Sequence, residues 1–167
     1  ACRNTDVTYY GDTTAALAAL CITYEDGHEE WIGTDESWLC TTGAVQFSEI
    51  YDGETQDFTA APAAPQPARL FDYGFDTIIG QENEPVRCLQ KLPAVKDFTT
   101  QILDENGNFY TENLSWAKAT DTYILSGGKQ TLHPHFTWHG FRYLCVEGLQ
   151  YGQNVQFTAC HLSTDLQ

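Results

Sequence analysis

Four carboxylates are crowded into nine positions of one short segment, VQFSEIYDGETQDF at residues 45–58. Carboxylates packed this closely repel one another, so a folded chain must spread them into water or give them a shared cation. Calcium fits because it takes roughly six to eight oxygen ligands, often from one irregular loop, and a glycine allows the sharp turn of such a loop. The segment therefore predicts a calcium site, with a solvated acidic turn as the alternative. The four residues are Glu49, Asp52, Glu54 and Asp57.

A second set of candidate ligands occurs in LHPHFTWHGFRY at residues 132–143. His133 and His135 would share one face of an extended strand, and His139 follows four residues later, a spacing that permits zinc. No Cys or acidic ligand stands at a telling distance, so the simpler interpretation places the histidines at the rim of the strand. The chain also has no G-x-S-x-G and no phosphate-binding glycine loop, so we expect no nucleophilic catalysis.

Composition restricts the classes of partner. The chain has 167 residues, of which 42% are hydrophobic, enough for one domain over residues 1–167 with a filled core. Twenty-three acidic residues against 8 basic ones give a net charge of -15, and no basic stripe is present. We therefore expect no nucleic acid partner. No apolar run approaches the roughly 20 residues needed to span a bilayer, so no membrane insertion is expected either.

Six cysteines are scattered along the chain without a C-x-x-C motif. This spread favours up to three disulfides and a secreted, extracellular protein over a zinc ribbon, although six buried free thiols in a cytosolic protein are the alternative. Asn113-Leu114-Ser115 matches the N-glycosylation pattern, which arises often by chance. The cysteines are Cys2, Cys21, Cys40, Cys88, Cys145 and Cys160.

The spacing of turn residues predicts an all-β fold. Glycine-containing turns recur at short intervals, and the segments between them are rich in β-branched and aromatic residues. Such a pattern is typical of a single antiparallel β-sandwich of the jelly-roll type. A Pro- and Ala-rich stretch at 59–69 should run over the surface in an extended conformation. The predicted strands are LCITYE (20–25), EEWIG (29–33), AVQFSEI (44–50), DTYILSG (121–127), FRYLCVEG (141–148) and NVQFTACHL (154–162).

Several segments, in this order, resemble the non-catalytic β domains of bacterial α-L-rhamnosidases. From the first to the last they span residues 22–149, about three quarters of the chain, and FTWHGFRY is the most specific part of them. The first two are similar to the sugar-binding region of those proteins, and the others to their β-sandwich segments. The resembling segments are ITYEDGHEEWIGTDESW (22–38), IYDGETQDF (50–58), QENEPVRCLQKLPAV (81–95), LDENGNFYTENLSWAKATDTYILSGG (103–128) and HFTWHGFRYLCVEGL (135–149).

This resemblance implies a role in carbohydrate recognition. The family carries out hydrolysis in a separate helical barrel, so the resemblance implies that this chain is not an enzyme. One branch of these β domains is a calcium-dependent rhamnose-binding module in which the metal contacts sugar hydroxyls. Between Val95 and Leu103 the family pattern normally carries a longer stretch, so the chain is expected to be a condensed, free-standing version.

We therefore predict a secreted lectin that binds a monosaccharide unit of a glycan without altering it. L-Rhamnose is the first choice, and other sugars such as N-acetylated hexosamines stay open. Because single sites of this kind are weak, a homo-oligomer is predicted to supply avidity. The alternatives are an accessory or structural β domain of a glycosidase that has no sugar site, and a small glycosidase. The predicted sugar site combines the four carboxylates with the aromatic residues Tyr51, Tyr73 and Trp138.

Overall fold

The computed structural model of this chain describes residues 13–76, 78–94, 103–150 and 152–164. Within these ranges the regular structure is β, apart from one 3₁₀ turn at Glu112–Leu114, so the all-β prediction is confirmed. The single jelly-roll sandwich stays a prediction. The strands are β1 (Ala19–Thr23), β2 (Glu29–Gly33), β3 (Leu39–Cys40), β4 (Val45–Glu49), β5 (Gly53–Asp57), β6 (Gln66–Pro67), β7 (Val86–Pro93), β8 (Thr122–Ile124) and β9 (Thr158–Thr164).

The chain divides into two compact units, of which the first comprises Ala1–Gly43 and Ala60–Phe75. In this unit β1 and β2 form an antiparallel hairpin, closed by the N–H of Tyr24 donating to the carbonyl of His28 at 2.8 Å. The short strands β3 and β6 also pair in antiparallel fashion, which ties part of the Pro- and Ala-rich stretch to the rest of the unit. The prediction of one domain over residues 1–167 stays a prediction.

The second unit comprises Ala44–Thr59 and Asp76–Gln167 and contains two sheets. One has three strands in the order β4-β5-β8, with β4 antiparallel to β5 and β8 parallel to β5. The other consists of β7 and β9, which pair in antiparallel fashion. Parallel strands need a long connection, and here it spans the chain between Asp57 and Thr122. The three-stranded sheet therefore joins segments that are far apart in the sequence.

The strand predictions are correct for some segments and wrong for others. EEWIG coincides with β2, and the predicted strands around residues 20–25, 44–50, 121–127 and 154–162 overlap β1, β4, β8 and β9. The strand predicted at 141–148 does not form, because the described residues supply no strand that pairs with it, and a strand needs a partner for its backbone hydrogen bonds. Sequence reasoning also missed β7, whose polar and charged residues weaken the alternating pattern.

The described residues contain no buried hydrophobic side chain, contrary to the filled core that the composition favoured. The buried side chains are polar and lie close to the β4–β5 turn or to the segment that packs on it. Narrow sheets of two or three strands bury little apolar surface by themselves, which explains the difference. The described residues also include no helix that is long and apolar enough to cross a bilayer. The buried polar and charged residues are Asp52, Glu54, Gln56 and Thr137.

Disulfides are absent from the described part of the chain, so the prediction of a disulfide-bonded fold is corrected here. One pair of cysteines approaches to 3.8 Å, but no pair lies at bonding distance. A bridge requires two sulfur atoms about 2.05 Å apart on suitably oriented side chains, and these thiols do not meet that requirement. Cys2 lies outside the described residues. The free cysteines are Cys21, Cys40, Cys88, Cys145 and Cys160.

Candidate functional site

The hairpin of β4 and β5, residues 45–57, carries all four carboxylates of the predicted site, and we call it the acidic hairpin. Its strands pair Glu49 with Gly53, and the chain turns between them. Gly53 has φ +103°, and a Cβ at this position would lie 2.1 Å from the carbonyl oxygen of Thr120. Only glycine therefore allows the chain from residues 119–121 to lie directly against the turn.

Glu49 and Asp52 stabilise the turn of the acidic hairpin. Oε2 of Glu49 accepts the backbone N–H groups of Tyr51 and Asp52 at 2.7 and 2.8 Å, which closes the turn from inside. Oδ2 of Asp52 lies 3.4 Å from Nζ of Lys118. The carbonyl of Asp52 also accepts the N–H of Thr120 at 3.0 Å. The Glu49 carboxylate thus closes the turn, and Asp52 attaches the turn to residues 118–120 through its carboxylate and its backbone carbonyl.

Glu54 is the most deeply buried residue of the site, with no exposed surface. Its Oε1 accepts the backbone N–H of His135 at 3.0 Å, and its Oε2 accepts the N–H of Phe136 at 3.0 Å. The side-chain amide of Gln56, which is also buried, donates to Oε1 of Glu54 and to the carbonyl of His133 at 2.8 Å. The Glu54 carboxylate therefore connects β5 to the segment 133–136.

These donors keep Glu54 ionised inside the protein. Burial raises the pKa of this carboxyl, but the N–H of Phe136, the amide of Gln56 and the N–H of His135 stabilise the charged form. Together they hold the pKa of Glu54 at about 2, well below its ordinary value. A buried negative charge with this many hydrogen-bond donors is typical of a structural anchor.

A second carboxylate, Asp121, extends the network to a histidine. Oδ1 of Asp121 accepts the backbone N–H of Glu54 at 2.9 Å and lies 3.1 Å from Nε2 of His139. Both the Asp121 and the His139 side chains are largely buried. Burial, together with the negative charges of Asp121 and Glu54, raises the pKa of Tyr123 to about 12, so this tyrosine stays neutral at physiological pH.

Asp57 is used locally, at the end of β5. Its Oδ1 accepts the N–H of Thr59 at 2.8 Å and the Thr59 hydroxyl at 2.6 Å. The four predicted carboxylates thus have hydrogen-bond or ion-pair partners in different parts of the protein. Across the described ranges, no group of three or more His, Cys, Asp and Glu side chains is placed to hold a metal ion. Calcium binding by Glu49, Asp52, Glu54 and Asp57 stays a prediction.

The three predicted aromatic contacts lie in different surroundings. Tyr51, at the turn of the acidic hairpin, is half exposed and packs edge-on against Trp116, with ring centroids 4.7 Å apart. Trp138 is exposed and follows the segment that binds Glu54. Tyr73 belongs to the first unit and stacks on Phe71 at 5.9 Å. Within the second unit, Tyr51 is thus the predicted aromatic residue that lies on the acidic hairpin itself.

Sequence reasoning missed several residues of this network. Gln56, Asp121 and Lys118 were not predicted, and His135 and His139 were considered as zinc ligands or as side chains at the rim of a strand. One local signal was available, because Glu54 and Gln56 stand two residues apart and share one face of β5. That face is polar and buried, whereas a polar face is ordinarily taken as exposed. The backbone donors of residues 135 and 136 leave no trace in the sequence.

Two family descriptions match consecutive parts of the chain. The Alpha-L-rhamnosidase N-terminal domain matches residues 1–88, more than half of the chain. The Bacterial alpha-L-rhamnosidase concanavalin-like domain matches residues 95–163. Strands β4 and β5 fall in the first match and β8 falls in the second, so the three-stranded sheet combines both. The hydrogen bonds from residues 135 and 136 to Glu54 also cross this boundary.

Curated relatives with sequence similarity carry the same name. An Alpha-L-rhamnosidase from Streptomyces avermitilis is 32% identical over 185 residues, covering 83% of this chain and 18% of the relative. One from Formosa agariphila is 30% identical over 188 residues, covering 84% of this chain and 20% of the relative. The chain thus spans about one fifth of the length of these relatives. Both aligned lengths exceed the 167 residues of this chain, so the relatives contain residues that have no counterpart here.

Two solved structures share the fold. Native α-L-rhamnosidase from Aspergillus terreus superposes with a TM-score of 0.70 at 26% identity, covering 90% of this chain and 23% of that one. Streptomyces avermitilis α-L-rhamnosidase complexed with L-rhamnose superposes with a TM-score of 0.54 at 28% identity, covering 75% of this chain and 17% of that one. Both are similar to this chain over a small part of their own length.

These comparisons correct the expectation that the chain is not an enzyme. Relatives that cover 83 and 84% of it are named for an enzyme, and the solved structures similar to it are rhamnosidases. The resemblance to an α-L-rhamnosidase region is confirmed at the level of the family, while the sugar-binding module and the free-standing form stay predictions. Since the N-terminal domain model matches more than half of its length, the chain belongs to the α-L-rhamnosidase family.

Proposed function

We propose that this chain is a β region of an α-L-rhamnosidase, an enzyme that releases L-rhamnose from α-L-rhamnosides, and that its role there is accessory and structural. The family match and the share of the relatives that the chain spans support this proposal. In such an enzyme the β region would hold other parts of the polypeptide in place and contribute to the surface around the substrate.

The observation that carries the proposal is the internal use of Glu54. Both of its carboxylate oxygens accept backbone N–H groups, from His135 and Phe136, and the side chain has no exposed surface. A carboxylate that binds a sugar or calcium must present oxygen atoms to the ligand. At Glu54 these atoms connect two segments of the protein, so the centre of the predicted sugar site supports the fold.

Exposed apolar side chains give a second line of support. The described residues expose many large hydrophobic side chains, among them Trp31, Leu70, Phe75 and Ile79. Apolar surface of this extent is typical of a region that packs against other protein. In the proposed function these side chains pack against further parts of the rhamnosidase polypeptide, which would remove them from water.

Calorimetric titration of the full chain with L-rhamnose, with and without calcium, tests the proposal. We expect no saturable heat from the wild-type chain, and we expect Glu54→Gln to lower the melting temperature. Asp52→Asn at the turn is the matched control and should melt closer to the wild type, because its partner Lys118 is exposed. Saturable rhamnose binding that disappears in Glu54→Gln without loss of stability would overturn the structural role.

A second candidate function is carbohydrate binding at the turn of the acidic hairpin. Tyr51 and Trp116 form an exposed aromatic pair there, next to Glu49 and Asp52, and aromatic faces pack well on sugars. The similar Streptomyces avermitilis enzyme was solved with L-rhamnose. In this candidate function, calcium would take carboxylate oxygens of Glu49 and Asp52, and chelation would abolish binding. Tyr51→Ala should weaken binding and leave the melting temperature unchanged.

Secretion and oligomerisation complete the proposal. We propose that the protein is secreted, and that sugar binding at the turn would gain avidity from a homo-oligomer. Size-exclusion chromatography with light scattering measures the oligomeric state directly, since a monomeric mass at micromolar concentration would rule out an oligomer. Fractionation of the source organism tests whether the protein is secreted.

A further inference from the structure

Cys88 and Cys160 are neighbours across the sheet of β7 and β9. In this antiparallel pair Cys88 lies opposite Leu162, and Lys91 lies opposite Cys160. Side chains alternate along a strand, so Cys160 and Leu162 project from the same face of β9. Cys88 shares that face as the partner of Leu162, which makes the two cysteines diagonal neighbours. Their thiols lie within hydrogen-bonding reach of each other.

An irregularity in the ladder accompanies this contact. The register shifts between Cys88 and Gln90, and Sγ of Cys88 lies 3.7 Å from the carbonyl oxygen of Gln90. A bulge increases the local twist and redirects the side chains beside it. Both cysteines are exposed, so a small oxidant in solution can reach them. Of the other described cysteines, Cys21 lies on β1, Cys40 lies on β3 and Cys145 lies outside the strands.

The contact between Cys88 and Cys160 joins the two parts of the chain that match different family domains. Cys88 is the last residue matched by the N-terminal domain, and Cys160 lies in the part matched by the concanavalin-like domain. A bond between them would close a loop that contains β8 and the segment 133–136. Long loops lose the most chain entropy in the unfolded state when they are closed, so a bond at this place stabilises the folded state efficiently.

We propose that Cys88 and Cys160 are a redox-sensitive pair that a small-molecule disulfide, such as oxidised glutathione, converts into a cross-strand disulfide. One thiol of the pair loses its proton, and its sulfur attacks the glutathione disulfide, which forms a mixed disulfide and releases one glutathione. The second thiolate then attacks the protein sulfur of that mixed disulfide and releases the second glutathione. The protein loses two electrons and two protons, and the glutathione disulfide is reduced to two thiols.

The chemical surroundings of the pair set its rate. Desolvation, followed by the hydrogen bond with Cys160 and the negative charge of its thiolate form, raises the pKa of Cys88, while Lys91 and the backbone of Gln90 act in the opposite direction. A thiol with a raised pKa is mostly protonated at neutral pH, and only the thiolate attacks. The rate of oxidation should therefore be low at neutral pH. It should rise about tenfold for each pH unit above neutral, until the pH reaches the pKa of the attacking thiol.

Peptide mapping of the full chain tests the proposal. The reduced protein is incubated with oxidised glutathione, free thiols are alkylated, and the protein is digested. Trypsin cuts after Arg87 and so leaves Cys88 at a peptide terminus, and a glutamate-specific protease cuts after Glu147, which separates Cys145 from Cys160. We expect one cross-linked peptide pair that contains Cys88 and Cys160, lighter than the sum of the free peptides by two hydrogen atoms.

Variants and melting temperature complete the test. Cys88→Ser and Cys160→Ser should each abolish the cross-link, and Cys40→Ser, on β3, should leave it intact. Oxidation should raise the melting temperature of the wild-type chain by about 5 to 15 °C, reversibly on reduction, and should not raise that of Cys88→Ser. Recovery of both cysteines as alkylated or glutathionylated peptides, or cross-linking of either one to a different cysteine, would overturn the proposal.

Discussion

The backbone N–H of Phe136 donates to Oε2 of Glu54 at 3.0 Å, although the two residues lie 82 positions apart in the chain. The N–H of His135 donates to the same carboxylate. These hydrogen bonds connect a strand matched by the N-terminal domain to a segment matched by the concanavalin-like domain. Stability of the second unit should therefore depend on one buried side chain.

Glu54→Gln should lower the free energy of unfolding by about 2 to 4 kcal/mol. A glutamine has one acceptor oxygen, so its NH₂ group would face a backbone N–H of His135 or Phe136 and leave it unpaired. Urea denaturation followed by circular dichroism measures the change. Glu82→Gln, at an exposed position, is the control and should change stability by less than about 0.5 kcal/mol. Equal effects of the two substitutions would contradict the anchoring role.

Acid should destabilise the protein through the same carboxylate. The pKa of Glu54 is about 2 in the folded protein and lies below its ordinary value of 4.5, so the unfolded chain binds more protons between these pH values. The contribution of Glu54 is then complete above about pH 4.5 and is lost as the pH falls toward about 2. Urea midpoints measured from pH 6 to pH 2 should fall less steeply in Glu54→Gln than in the wild type.

Gly53→Ala should be much more damaging than Gly127→Ala. Both glycines have positive φ, +103° and +96°, but a Cβ on Gly53 would lie 2.1 Å from Thr120 O, whereas nothing lies within 4 Å of one on Gly127. We expect a cost of about 1 to 2 kcal/mol at Gly127, from backbone strain, and roughly 3 kcal/mol or more at Gly53. Similar denaturation midpoints for the two variants would mean that residues 119–121 do not pack on the turn.

Asp121→Ala should destabilise the protein more than Asp121→Asn. The alanine leaves the N–H of Glu54 without its acceptor, at a cost of about 1 to 3 kcal/mol, whereas asparagine keeps an oxygen at Oδ1. Thermal denaturation of the two variants and the wild type separates these effects. Identical melting temperatures for alanine and asparagine would show that this hydrogen bond contributes nothing measurable.

The all-β class was predicted better from the sequence than the role of the site was. The strand EEWIG was located residue for residue, because turn residues flank a run with β-branched and aromatic side chains. The acidic segment was also found from its composition. Its role was not predictable in the same way, because a cluster of carboxylates has the same local pattern whether it binds calcium, faces water or accepts backbone N–H groups.

The missing information was long-range and belonged to the backbone. Glu54 is ionised and buried because the N–H groups of residues 135 and 136 point at it, and every residue type except proline carries such a group. The predicted strand at 141–148 failed for a related reason, since its residues suit a strand but strand formation also requires a neighbour. Local sequence patterns report which side chains fit a strand, and they do not report which strand lies beside it.

The parallel pairing of β5 with β8 has a consequence for synthesis of the protein. The ribosome adds roughly 5 to 20 residues per second, so the 82 positions between Glu54 and Phe136 correspond to roughly 4 to 16 seconds of translation. For most of that interval the acidic hairpin exists without β8, and throughout it the hairpin lacks the donors of residues 135 and 136. Until the later segment leaves the ribosome, the turn is held by contacts within the hairpin, which are the pairing of β4 with β5 and the Glu49 hydrogen bonds. Glu54 then has the side-chain amide of Gln56 as a donor but lacks the N–H groups of residues 135 and 136.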